Sequence, residues 1–250
     1  MSHPTRLLPA SLFRVAACAL GFGLLTQAAC GGSEPPPKAP VHEADDDADD
    51  HGNRAPLDVS AEIGALDEGA VTKTFEAALP DLEACMKTGA NRVEFIGGAV
   101  QFSLKINQGG SLTEAYLERT TLGDRDTEKC LLTALGKRTW PAPQGGVHGL
   151  AHKGFEFDMV NDVRPPVIWD SSEVQETLDS LGSKISECKS GSSGDFEVTM
   201  YIGTRGQVLG AGVAQSKAGD DTAADCLVGV LKEGTFKSPG SWPAKVSFHL

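Results

Sequence analysis

Gly123 to Gly145, GDRDTEKCLLTALGKRTWPAPQG, is the stretch that decides the fold. Cys130, Leu131, Ala134 and Leu135 recur at three- and four-residue spacing, which predicts a helix with one apolar stripe. Asp124 or Asp126, with Thr127, supplies a cap, and Trp140-Pro141 closes the segment. The same grammar returns at Gly219 to Pro239, GDDTAADCLVGVLKEGTFKSP. Cys130, Leu131, Ala134, Leu135, Trp140 and Pro143 then correspond to Cys226, Leu227, Val230, Leu231, Phe236 and Pro239. A repeat at this spacing predicts a duplicated module.

Working outward, Val71, Phe75, Leu79, Leu82 and Cys85 predict an earlier helix, with Pro80 kinking or restarting it. Val174, Leu178, Leu181, Ile185 and Cys188 repeat that phase, so that both first helices are expected to end at a cysteine. Val100, Phe102, Leu104 and Ile106 alternate with polar neighbours, as do Phe196, Val198, Met200 and Ile202, which predicts strands with one buried face. Asn107 to Gly110 and Gly203 to Gly206 supply hairpin turns, and Leu112 to Glu118 and Val208 to Ala214 return as second strands. Phe155 with Phe157, and Val246 with Phe248, mark closing strands. The expected fold is α+β: two tandem two-layer modules, residues 70–160 and 173–250, joined by a linker at 161–172. Each has the order helix, strand, strand, helix, strand, with both helices on one face of a three-stranded antiparallel sheet.

The N-terminus carries Arg6 and Arg14, the apolar run Val15 to Leu25, and then Gln27-Ala28-Ala29-Cys30-Gly31-Gly32. A basic start, an apolar run too short to span a bilayer and a small-residue site predict a signal peptide over residues 1–29 and an exported chain. The setting of Cys30 is similar to a bacterial lipobox, which implies a lipid on that cysteine; Cys18, after Val15-Ala16-Ala17, is the alternative. Residues 30–69 hold Pro35-Pro36-Pro37 and the acidic run from Glu43 to Asp50, and are expected to be a disordered tether. With 34 acidic against 22 basic residues and a net charge of −12, the chain is expected to repel nucleic acid.

The run T-L-G-D-R-D-T-E-K-C followed by R-T-W-P-A-P-Q-G-G, behind a helix ending in Cys85 and a G-x-V-x-F-x-L-x-I-x-x-x-G hairpin, resembles the myxobacterial AgmX/PglI C-terminal family, itself similar to the TonB C-terminal domain. The likeness spans residues 70–160; residues 173–250 are a degenerate second copy, shorter between Cys188 and Phe196. It implies an envelope protein, linked in some family members to gliding motility, whose domain receives partner peptides at a sheet edge. The edge expected here is the closing strand Gly154 to Asp158, with Phe155, Glu156 and Phe157 as partner-binding residues.

Cys85 with Cys130 and Cys188 with Cys226 occupy equivalent places, so duplication favours one disulfide within each module among the three pairings that four cysteines allow. No Cys-x-x-Cys is present, Ser192 and Ser193 lack a nucleophile elbow, and His148, His152 and His249 stand apart rather than at metal-ligand spacing. Asp124 and Asp126 are better read as helix caps than as a catalytic pair, and Trp140 and Phe236 as core anchors than as binding aromatics. No catalytic residue, cofactor, metal or small-molecule substrate is expected. The function expected is a non-enzymatic lipoprotein at the periplasmic face of the outer membrane, binding or scaffolding other envelope proteins. A structural module acting on peptidoglycan and an enzyme of unrecognised class are the alternatives.

Overall fold

A computed structural model describes residues 61–250; the expected signal peptide, Cys30 and most of the acidic segment lie outside the described residues. The described residues are α+β, with four α-helices and two four-stranded mixed sheets. In the first half, β1 (Ala61–Gly64) and α1 (Glu68–Ala90) precede β2 (Gly98–Asn107), β3 (Leu112–Thr120), α2 (Arg125–Gly136) and β4 (Gly146–Phe157). In the second half, β5 (Val167–Trp169) is followed by α3 (Gln175–Lys189), β6 (Phe196–Ile202), β7 (Val208–Gln215), α4 (Asp221–Glu233) and β8 (Ala244–His249).

The helices follow from local chemistry. The Asp67 carboxylate accepts the Ala70 amide at the head of α1, and Asp124 accepts the Thr127 amide at the head of α2, each satisfying a donor that the first turn leaves free. Phe75, Ala78, Leu82, Cys85 and Met86 form the buried stripe of α1. Pro80 does not interrupt it, because the residue stands on the exposed face, where water can satisfy the carbonyl that proline leaves unpaired. Nor does α1 end at its cysteine; it runs on to Ala90, since Met86, Gly89 and Ala90 extend the buried stripe.

The sheets correct the expectation of three antiparallel strands. Their orders are β1-β4-β2-β3 and β5-β8-β6-β7, and the added strands β1 and β5 run parallel to the closing strands β4 and β8. Both additions lie in segments expected to be linker, 30–69 and 161–172. Four residues of Ala-Glu-Ile-Gly and three of Val-Ile-Trp are too short to establish a period of two, and what orders them is the neighbouring edge rather than their own pattern.

Within each half the helices cover one sheet face. Phe75, Leu82, Leu131 and Leu135 meet Phe102, Leu104 and Ile106 in the first core, and Leu178, Ile185, Leu227 and Leu231 meet Phe196, Val198 and Met200 in the second. The described residues form one compact unit. β3 and α2 of the first half pack on β7 of the second. Thr199 and Tyr201, expected on a solvent face of β6, are fully buried there instead. The Tyr201 hydroxyl donates to the Phe95 carbonyl at 3.3 Å, and Phe95 also lies against Trp242. The polar alternates of β6 are thus an interface.

Candidate functional site

Two disulfides join helix to helix above each sheet: Cys85 to Cys130, with Cα atoms 5.7 Å apart, and Cys188 to Cys226, at 5.4 Å. Both separations fall inside the range a disulfide spans without backbone movement. The pairing expected from duplication is the one present.

β4 is the strand on which a site can be built. On one side β2 pairs with all of it from His148 to Phe157; on the other, β1 pairs with Gly146 to Gly149 only. From Leu150 to Phe157 the outer edge has no strand beside it among the described residues. The direction of its polar groups follows from register. The Ala99 carbonyl accepts the Thr121 amide, so the backbone of Ala99 points toward β3. Ala99 stands opposite Glu156 across an antiparallel pair, which leaves the amide and carbonyl of Glu156 pointing away from β2. The register has no shift along this pair, so the alternation gives Gly154, His152 and Leu150 the same outward polarity. Four donors and four acceptors line roughly 26 Å of open edge at the usual strand rise.

Beside this edge runs a groove of about 500 Å³ between the chain leaving β1, the first turns of α1 and β4. Ile63, Leu66, Val71 and Leu150 supply its apolar part, and Glu68, Thr72, His152 and Lys153 its polar part. Ile63 is 47% exposed and Leu150 50%, the opposite of what apolar side chains of a finished core show.

Of the expected binding residues, Phe155 and Phe157 turn inward. Phe155 lies 5.7 Å from Phe75 and 5.9 Å from Phe102, ring centre to ring centre, and 6.1 Å from Phe157. They hold β4 to the core. Glu156 is exposed on the opposite face and lines a second cleft with Gln101, Arg119 and Glu197. Leu150 and Ile63, which the sequence reading did not single out, and His152, which it read only as an isolated histidine, are the accessible residues of the edge and groove. Leu150 sits among glycines, histidines and Ala151, where no clean alternation marks it.

No family model, curated protein or solved structure matches this chain.

The remaining candidates fall into structural places. Asp124 is the α2 cap and is held by Arg92, while Asp126 is exposed. Trp140 and Phe236 are buried, and the Trp140 indole donates to the Leu135 carbonyl at 3.2 Å. His148, His152 and His249 do not converge, and no group of three or more His, Cys, Asp or Glu able to hold a metal occurs among the described residues. No helix among them is long and apolar enough to cross a membrane.

Proposed function

We propose that this protein is a non-enzymatic envelope scaffold that captures extended segments of partner proteins by adding them as a strand to the open edge of β4. In this reading its two halves are tandem copies of a TonB C-terminal-like module. A lipid on Cys30 ties the chain to the outer membrane on its periplasmic side, and residues 30–60 are the tether. The observation that carries the proposal is the outward row of backbone donors and acceptors from Leu150 to Glu156 beside a groove of mixed polar and apolar lining that holds the exposed Ile63 and Leu150. An unpaired edge is complementary to any extended chain, and pockets for alternate side chains supply selectivity.

The two halves are not equivalent in this respect. β8 is six residues long and β5 takes Ala244 to Val246, so only three residues of its outer edge remain beyond β5. Capture therefore belongs to the first half, and the second serves to hold it.

A photo-crosslinking side chain at His152 in intact envelopes, with Glu187 on α3 as the control position, tests the reading. Discrete adducts are expected from position 152, and Glu156→Pro removes them, because proline deletes an outward donor without touching the ladder to β2. Adducts that persist in the folded Glu156→Pro protein would move the binding surface to a loop or helix. Cys30→Ser is expected to release the protein from the membrane fraction; retention in the pellet would assign the anchor elsewhere.

A further inference from the structure

Where the first half packs on the second, three cations meet three aspartates. Arg92 pairs with Asp124, Arg125 with Asp221 at 2.6 Å and Asp225 at 2.9 Å, and Lys129 with Asp225. Asp126, 3.7 Å from Arg92, stands largely in solvent. Among these groups lies Glu128, fully buried and, among the described residues, without an ion-pair partner of its own. One carboxyl oxygen accepts the Thr120 hydroxyl of β3 at 3.0 Å, and the other accepts the Val213 amide of β7 at 3.0 Å. β7 is an edge strand, so this amide is an edge donor of the second sheet that a side chain of the first half has closed. The approach is tight enough that a Cβ on Gly212 would run into the carboxyl group.

We propose that Glu128 is a proton-operated clasp between the two halves: neutral, it rests in the dry seam and holds the β7 edge; ionised, it still accepts from Thr120 and Val213, but its buried charge is better solvated by water, and the seam opens more readily. The groups facing it from each side set this balance. On α2, Arg125 favours the charged form, although both of its paired contacts go to α4, while Asp124 opposes it. From β3 and β7 come only the neutral Thr120 hydroxyl and Val213 amide. From α4 come Asp221 and Asp225, already engaged by Arg125 and Lys129. Burial, only partly offset by the Val213 amide, Arg125 and Thr120, pushes the Glu128 carboxyl up from 4.5 to about 7. Because the folded value lies above the ordinary one, the folded protein retains a proton that the unfolded chain has released. The contribution is therefore full below about 4.5, declines as pH rises toward 7, and is absent above it.

The test uses the intact protein and its Glu128→Gln variant. Hydrogen exchange of the β7 amides, corrected for intrinsic rates, is followed from pH 5 to 8 beside a carbon-13 titration of the Glu128 carboxyl. The wild type is expected to titrate near neutrality and to lose at least tenfold in Val213 protection across the range, while Glu128→Gln keeps a flat profile. A Glu128 carboxyl titrating below pH 5 overturns the proposal even if the variant does not fold, and so does an equal loss of protection in a folded variant.

Discussion

Gly110 and Gly206 stand in matching local settings in the two halves. Each has positive φ, +74° and +82°, at the end of a hairpin turn. Each carbonyl accepts the amide of the aromatic that follows the next helix, Trp140 in one half and Phe236 in the other, both at 2.8 Å. A Cβ at Gly110 would run into the Trp140 carbonyl oxygen. Gly110→Ala is therefore expected to cost about 1–3 kcal/mol, from the strained backbone and the displaced Trp140, read as a lower urea midpoint with an unchanged slope. Lys245 gives a pH signature opposite to that of Glu128. Its ammonium donates to the Gly97 carbonyl at 2.9 Å and lies over the Tyr201 ring, and burial pushes its pKa down to about 8. The folded state therefore penalises the charged form, and stability rises with pH from about 8 toward 10.5. Lys245→Met is expected to abolish that rise in urea midpoints measured between pH 7.5 and 10.

The helix pairs and their staples are the elements that a small core depends on most. The Cys85–Cys130 bond closes a loop with a sequence separation of 45. Replacing both cysteines by serine is expected to cost about 4 kcal/mol by the chain-entropy estimate, a large part of a domain's stability. Thermal unfolding with and without reductant measures it, and peptide mapping without reduction checks the pairing. Phe75→Ala, at a fully buried site touching Phe102, Trp140 and Phe155, is expected to lose about 3–5 kcal/mol. The helices, the hairpins and both cysteine pairs were legible in the sequence because each rests on a period or on duplicated spacing. β1 and β5 were not, since three or four residues have no period and their order comes from an edge far along the chain. Glu128 was equally hidden, because a glutamate in a helical run of Asp, Lys and Thr has the pattern of a solvated face.

Across the molecule, the contact between halves decides what can stand alone. Tyr201, Thr199, Gly210 and Gly212 form a second-half surface covered by Val93, Phe95, Thr120, Gly123, Asp124 and Glu128 of the first. Residues 161–250 expressed separately are expected to self-associate or to bind a hydrophobic dye, and residues 61–250 to stay monomeric in light scattering. The sequence showed a repeated motif and left this contact invisible, because the second faces of β6 and β7 are built from Thr, Tyr and Gly, which look like the wet side of a strand. The short parallel pairing of β1 has a mechanical meaning. If the chain is tethered upstream of residue 61 and a partner is held on β4, tension between membrane and partner enters the fold through β1. That strand has four residues, mostly exposed, so it yields before the helices or the β2–β4 ladder feel the force. Its release lengthens the tether by a few residues and bares Gly146 to Gly149, extending the very edge on which the partner is gripped: a slip in the line that tightens the hold.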